Sequence, residues 1–238
     1  MVFALRACEA VRVGRAGRIV AGVVAAIVLV LVLAQLFLPG IAADRVRARV
    51  GRYGTVQSVS VSAWPAVELL WGRVDSVDVK AGSLRLTPAQ TAKLLGEARG
   101  VQTMRLTAES VKEGSLQLHD ASLQKHGDAL VGEAFAARAD AQAALGKGVE
   151  VKLLRSGGGQ VEVSVGGGLF GVRASVDAIA RAQEGKLVVH PLSFLLEGLK
   201  LTLIADPDVY VEGVSASAAA GPSGAGSGYR LSLWASLR

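Results

Sequence analysis

The chain of 238 residues has one cysteine, Cys8, and no asparagine at all. A disulfide-stabilised fold is excluded, because such a fold needs paired cysteines. Charged residues make up only 19% of the chain and aromatic residues 5%, whereas hydrophobic residues make up 51%. This much apolar surface excludes a disordered chain. Only one segment is long and apolar enough to cross a bilayer, which excludes a polytopic transporter.

The sequence also lacks a catalytic constellation. No serine stands in a Gly-x-Ser-x-Gly motif, and the spacing of His119, His126 and His190 matches no zinc-binding pattern. The stretch GGGLFG at 166–171 matches a dinucleotide-binding fingerprint. However, the residues after it have a strand pattern, and a pyrophosphate would need a helix N-terminus there. We therefore expect a protein that is not an enzyme and that has no metal ion or other cofactor.

The net charge of +6 does not indicate a nucleic-acid partner. Four of the 26 basic residues and one of the 20 acidic residues precede the apolar segment, so 22 basic and 19 acidic residues remain. No compact basic patch with aromatic stacking partners accompanies this small excess. We therefore expect no nucleic-acid binding.

The most prominent feature that is present is an apolar run from Ile19 to Leu38 without a charged residue. As a helix, this run spans about 30 Å, the thickness of a hydrocarbon core. It is longer than the apolar part of a signal peptide, roughly 7–15 residues. We therefore favour a retained anchor, and cleavage near Ala43 with secretion is the alternative. The arginines before the run favour a cytoplasmic N-terminus and an extracytoplasmic domain at the cytoplasmic membrane.

The chain divides into four predicted segments. They are a short basic cytoplasmic tail (1–18), the transmembrane anchor (19–38), a juxtamembrane basic helix (39–55) and an extracytoplasmic β-rich domain (56–238) with a flexible loop (219–228). Four arginines of the juxtamembrane segment are candidates for contact with anionic headgroups, with a solvated helix face as the alternative. They are Arg45, Arg47, Arg49 and Arg52.

Beyond the anchor, apolar and polar residues mostly alternate, which is typical of half-buried strands. The sequence Thr87-Pro88-Ala89-Gln90 predicts a capped helix start, and Gly100 predicts its end. A second short helix is predicted at 140–145. The glycine triplets at 157–159 and 166–168 predict turns or bulges between strands. The pattern indicates a β-rich, mostly antiparallel α+β domain with two or three helices.

The segment AWPAVELLWGR at 63–73 joins two alternating strands and holds two of the three tryptophans. A polar turn is typical of such a connection. Tryptophan suits a boundary that is apolar on one side and wet on the other. The segment is therefore either a plug over the core, or the lip of an apolar cavity or a membrane-touching edge.

At this segment the chain resembles the LmeA-like phospholipid-binding family of bacterial envelope proteins. The resemblance rests on the membrane segment, the short basic helix and the strand-loop-strand unit that follows. In that unit Trp64-Pro65 and Gly72-Arg73 match the family's motif, while Ala63 replaces the usual glycine. The outline covers about 43–191, but the specific motif covers only about 30 residues.

The resemblance implies a curved antiparallel sheet packed on two or three helices, of a type that cradles lipid. It also implies a lipid-binding role for the loop. The candidate lipid-binding residues are Trp64, Pro65, Val67, Leu69, Leu70, Trp71 and Arg73.

We therefore expect a membrane-anchored, extracytoplasmic phospholipid-binding protein of the cell envelope that is not catalytic. Membrane phospholipid is its expected partner. The alternative is a structural or scaffolding envelope domain that binds protein partners through exposed strand edges. An envelope hydrolase or transferase with an unrecognised site is a third, weaker hypothesis.

Overall fold

The computed structural model describes residues 15–65, 71, 73–146, 149–169, 172–193, 201–222 and 226–238. The helices are α1 (Arg15–Val50), α2 (Pro88–Glu97) and α3 (Arg138–Leu145), and a 3₁₀ turn at Ala98–Gly100 follows α2. The strands are β1 (Gly54–Ser62), β2 (Val74–Leu86), β3 (Val101–Glu113), β4 (Leu116–His126), β5 (Ala129–Ala137), β6 (Val149–Gly157), β7 (Gln160–Leu169), β8 (Val172–Gln183), β9 (Lys186–Pro191), β10 (Leu201–Ile204), β11 (Val209–Ala220) and β12 (Ser227–Leu237).

Helix α1 joins the predicted anchor and the predicted juxtamembrane helix into one element, and it contains Pro39. Its part from Val28 to Val50 is long and apolar enough to cross a membrane, with a mean hydropathy of 1.7. The large apolar side chains from Val28 to Leu33, together with Phe37 and Ile41, are 42–65% exposed. Much of the apolar surface of α1 is therefore not covered by the domain.

One stripe of the C-terminal half of α1 packs on the sheet. Gln35 Nε2 donates a hydrogen bond of 3.4 Å to the backbone oxygen of Ala63, just after β1. Further along α1, four small or branched apolar residues pack against the buried cluster of Val61, Val77 and Val79. They are Ala42, Ala43, Val46 and Val50. Since Ala42 and Ala43 are four and three positions before Val46, and Val50 is four positions after it, these residues share one helix face.

The seven-stranded sheet has the order β1-β2-β3-β4-β5-β12-β11. Neighbouring strands are antiparallel except β2 and β3, which are parallel and connected through α2. A parallel pair needs such a crossover, because a tight turn cannot bring the chain back to the same end of the sheet. The prediction of a β-rich, mostly antiparallel domain with few helices is confirmed, and the pair of β2 and β3 is the parallel exception.

The predicted start and end of α2 are confirmed. Thr87 Oγ1 accepts a hydrogen bond from the backbone N–H of Gln90, and Gln90 Oε1 accepts one from the backbone N–H of Thr87. This reciprocal capping box satisfies two donors that the first helical turn leaves without partners. The helix gives way to a 3₁₀ turn that ends at Gly100, as predicted.

A second sheet has five strands in the order β10-β9-β8-β7-β6. The glycines at 157–159 form the turn between β6 and β7, and Gly158 and Gly159 have positive φ angles, as expected for a turn. The prediction for the glycines at 166–168 is wrong. These residues lie inside β7 and pair with Arg173, Ala174 and Ser175 of β8 without a register shift.

The two sheets meet where hairpin turns of the five-stranded sheet contact the edge strand β11. The backbone N–H groups of Val211 and Val214 donate to the backbone oxygens of Gly185 and Gly159, at 2.8 and 3.0 Å. The Ala216 N–H donates to Ser156 Oγ at 2.9 Å. These bonds satisfy part of an edge that would otherwise be open to pairing with another chain.

Candidate functional site

One face of the seven-stranded sheet carries an unbroken apolar row across all seven strands. Cross-strand partners point to the same face of a sheet, and successive residues point to opposite faces. In strand order, the row consists of Val59, Val79, Leu106, Leu123, Gly132, Leu233 and Val214. We call this side of the sheet the apolar face.

The neighbouring row, on the opposite face, is polar in every strand. It consists of Ser58, Lys80, Thr107, Ser122, Glu133, Ser232 and Ser215. The contrast between the two rows shows that the sheet has one solvated side and one side that must be covered.

A cavity of about 220 Å³ lies between the apolar face, α2 and the docked part of α1. We call it the anchor-side cavity. Its apolar lining consists of Val46, Val50, Tyr53, Val77, Val79, Leu84, Leu86, Leu94, Leu95, Ala98, Val101, Met104, Leu106 and Leu123. The remaining lining residues are Arg49, Thr91 and Glu97. The cavity is thus suited to a hydrocarbon chain, with charge at one part of its wall.

Arg49 and Glu97 form an ion pair that joins α1 to α2 at this cavity. Arg49 Nη1 lies 2.8 Å from Glu97 Oε2, and both side chains are partly exposed. Arg49 is one of the four arginines predicted at the membrane surface, and in the structure it pairs with Glu97 of α2. Because the pair is exposed to solvent, it contributes little to stability, within about 1 kcal/mol.

A second cavity, of about 400 Å³, lies between α3, the apolar face and the five-stranded sheet. We call it the inter-sheet cavity. Its lining consists of Ser115, Leu116, Ala136, Ala141, Ala144, Leu145, Val151, Leu153, Val161, Val163, Ala216, Tyr229 and Leu231.

The two hydroxyl groups at the inter-sheet cavity already donate to backbone oxygens. The Tyr229 hydroxyl donates to the Val151 oxygen at 2.9 Å, and Ser115 Oγ donates to the Ala144 oxygen at 3.3 Å. Helix α3 is also held to β4, since His119 Nε2 lies 2.8 Å from Asp140 Oδ2. A ligand inside this cavity would therefore meet almost only hydrocarbon.

A buried lysine lies on the same apolar face. Lys125 is 2% exposed, and its Nζ donates to the backbone oxygen of Val101. Burial lowers the pKa of the Lys125 ammonium, and the negative charge of Asp128 opposes this shift. Lys125 was not among the predicted site residues. The sequence does carry a signal for this position. Lys125 is two residues after Leu123 on one strand, and this spacing places both side chains on the same face.

Trp64 and Trp71 are the two described tryptophans of the predicted loop, and Ala63, next to Trp64, contacts Gln35 of α1. Trp64 and Trp71 are 76% and 73% exposed, so these two side chains do not plug the core. The backbone N–H of Trp64 donates to Asp75 Oδ2 at 2.6 Å, and the Trp64-Pro65 peptide bond is cis. Neither tryptophan lines either cavity.

The other predicted loop residues do not form a cavity mouth either. Pro65 and Arg73 are exposed and are not among the residues that line the two cavities. Val67, Leu69 and Leu70 lie outside the described residues. The structure therefore does not bring the described residues of the predicted lipid site together around a cavity.

One hydrogen bond shows where the chain just before Trp64 lies along α1. Gln35 contacts Ala63, next to Trp64, and Gln35 is three residues before the end of the predicted span at Leu38. At 1.5 Å per residue, this distance is about 5 Å along the helix. The exposed Trp64 therefore lies close to the level at which the apolar run ends.

The arginines that follow lie further along α1. Arg45 and Arg47 are exposed and begin seven residues beyond Leu38, about 10 Å along the helix axis. Arg52 is also exposed and lies in the turn after α1. Arg45 would lie about one Debye length, ~8–10 Å, from headgroups at the end of the span. Arg47, about 13.5 Å along the helix from Leu38, would lie beyond it.

Comparison with known proteins found no matching family model, curated protein or solved structure. The resemblance to the LmeA-like family therefore stays a prediction. Among the described residues, no group of three or more His, Cys, Asp or Glu side chains is arranged to hold a metal ion.

Proposed function

We propose that the protein is a membrane-anchored, extracytoplasmic phospholipid-binding protein that handles cell-envelope lipid without catalysis. The anchor-side cavity is the observation that carries this proposal. Val46 and Val50, on the same helix as the apolar span, line the cavity together with α2 and the apolar face. A single element would thus connect the bilayer to the binding site.

The chemistry of the anchor-side cavity supports an amphiphile as ligand. An acyl chain would lie against aliphatic side chains, and a polar group would find Arg49 and Glu97 in the same wall. Burial of ten methylenes contributes about 8 kcal/mol. Before the entropic costs of association are subtracted, this free energy corresponds to a Kd near 1 μM.

The exposed tryptophans support a position of the domain against the membrane. In this proposal Trp64 and Trp71 lie in the headgroup region, where indole rings are favourable. The arrangement of one apolar sheet face under α1, α2 and α3 supports a fold that cradles lipid. The predicted loop then acts as a membrane contact, and the cavities bind the lipid.

We expect phospholipid to be bound to the full-length protein after purification in mild detergent. The measurement is native mass spectrometry, followed by fragmentation to identify the bound lipid. Delipidated protein should regain phospholipid from vesicles of phosphatidylglycerol and phosphatidylethanolamine. If repeated preparations carry no phospholipid and take up none from vesicles, the proposal is wrong. Recovery of a crosslinked protein partner by such lipid-free protein would favour the scaffolding alternative.

A further inference from the structure

Glu113 lies on the apolar face between the two cavities. In the ladder its partners are Leu86 on β2 and Leu116 on β4. Leu86 lines the anchor-side cavity and Leu116 lines the inter-sheet cavity. Cross-strand partners point to the same face, so the Glu113 carboxyl lies between the two linings.

A second observation places the Glu113 side chain on this face. Val111 packs against the buried cluster of Ala81, Leu84 and Ala108. Since Ala108 and Val111 are three residues apart, strict alternation is interrupted between them, as it is on β2 between the buried residues Ala81 and Leu84. Glu113 is two residues further along β3 and therefore points to the same side. Glu113 is only partly exposed, and burial raises the pKa of its carboxyl.

We infer that the two cavities bind the two chains of one diacyl lipid, and that Glu113 binds a primary ammonium group in its headgroup. This inference rests on the proposed function and adds the class of lipid. It assigns a site that the sequence does not indicate.

The separation of the cavities suits two chains joined at one end. Leu86 and Leu116 lie on strands that flank β3, so their backbones are about 10 Å apart at a strand spacing of ~4.8 Å. Each acyl chain would occupy one cavity. The linings have no free polar groups, apart from Arg49 and Glu97 in the wall of the anchor-side cavity. The junction between the chains then lies next to Glu113.

The charge of Glu113 selects the headgroup. Among the described residues, no cation or hydrogen-bond donor contacts its carboxyl, so a ligand can supply the partner. A primary ammonium donates up to three hydrogen bonds. A trimethylammonium group donates none and is bound mainly by aromatic faces, and a phosphate alone would be repelled by the carboxylate.

The headgroup preference can be measured on the delipidated full-length protein in detergent. The probe is an equimolar mixture of dioleoyl-phosphatidylethanolamine and dioleoyl-phosphatidylcholine, and the readout is the ratio of bound species by native mass spectrometry. We expect a preference of about tenfold for the ethanolamine lipid. Glu113→Gln should reduce it below twofold without lowering the total bound. Glu109→Gln, at an exposed residue of the same strand that accepts a hydrogen bond from Gln57 and lines neither cavity, should keep the preference.

The use of both cavities can be tested with Ala144→Trp, which places an indole in the inter-sheet cavity. We expect binding of the diacyl lipid to fall at least tenfold, while one-chain lysophosphatidylethanolamine binds within twofold of wild type. Ala143→Trp is the matched control, because Ala143 is exposed on the same helix. If Ala144→Trp does not fold, as judged by thermal unfolding, Ala141→Trp replaces it.

Three outcomes would overturn the inference. They are an ethanolamine preference that survives Glu113→Gln, a wild-type protein without the preference, and unchanged diacyl binding by a folded variant with a filled inter-sheet cavity. In each case phospholipid still binds to the wild-type protein, so the proposed function stands. A wild-type protein that binds no phospholipid contradicts the proposed function itself.

Discussion

Replacing Leu94 with tryptophan should lower the amount of bound phospholipid at least tenfold. Leu94 lies on α2 and lines the anchor-side cavity, whose volume is about 220 Å³. The larger indole would occupy space that an acyl chain needs. Excluding two methylenes of the chain costs about 1.6 kcal/mol at ~0.8 kcal/mol each, and every ~1.4 kcal/mol changes the affinity tenfold.

The matched control for this variant is Lys93→Trp. Lys93 is the preceding residue on α2, is exposed and does not line the cavity. Its replacement adds an indole to the same helix without filling the cavity. Lipid per protein is measured by native mass spectrometry, and thermal unfolding shows that both variants fold. Equal lipid content in the two variants would mean that the anchor-side cavity does not bind the chain.

The largest expected effect on stability follows from Phe135→Ala, which should lower the free energy of unfolding by about 3–5 kcal/mol. Phe135 is 0% exposed. Its ring packs where Gly221 and Gly228 leave room: a Cβ atom at these glycines would lie 2.5 Å and 2.7 Å from the ring. Since the two glycines have no side chains that could fill the gap, removal of the ring leaves a void.

This variant also separates stability from lipid binding. Phe135 alternates along β5 with Ala134 and Ala136, and Ala136 lines the inter-sheet cavity, so Phe135 points away from it. Denaturant unfolding should show the loss, with a smaller loss for Phe135→Leu, while the folded fraction keeps its lipid. A loss below about 1 kcal/mol would show that the site repacks around the void.

The local elements of this fold could be predicted from the sequence because their signals lie within a few residues. Thr87 and Gln90 are three positions apart and cap the same helix turn. The turn after His126 joins two strands that pair from His126 and Ala129 onwards. Along β12, alternating apolar residues likewise indicate one face, and Tyr229, Ala235 and Leu237 on that face are buried.

Which strands become neighbours could not be predicted in the same way. The parallel pairing of β2 with β3 depends on the path that α2 takes over the sheet. The glycines at 166–168 also look like turn residues, yet β8 pairs with all three and β6 pairs with Gly166 and Gly167. Alternation shows the face of a residue, but it does not show which strand lies next to it.

In the candidate site, too, some features could be predicted from the local sequence, and others depend on how distant elements pack. Trp64 and Trp71 were predicted to be boundary residues from their own type, and both side chains are exposed. The cavities, in contrast, are lined by residues from elements far apart in the chain, such as Val46, Leu94 and Leu123. The ion pair of Arg49 with Glu97 likewise depends on how α1 and α2 pack.

The central claim is that the apolar face binds the acyl chains of a phospholipid. It is tested most directly by crosslinking full-length protein in membranes to a phospholipid with a diazirine in its acyl chain, and by mapping the adducts. We predict adducts on β2, β3 and α2, within 77–106, that are removed by excess unlabelled phospholipid. Adducts confined to the exposed apolar part of α1, within 28–41, would show contact with bulk bilayer only and would contradict the account.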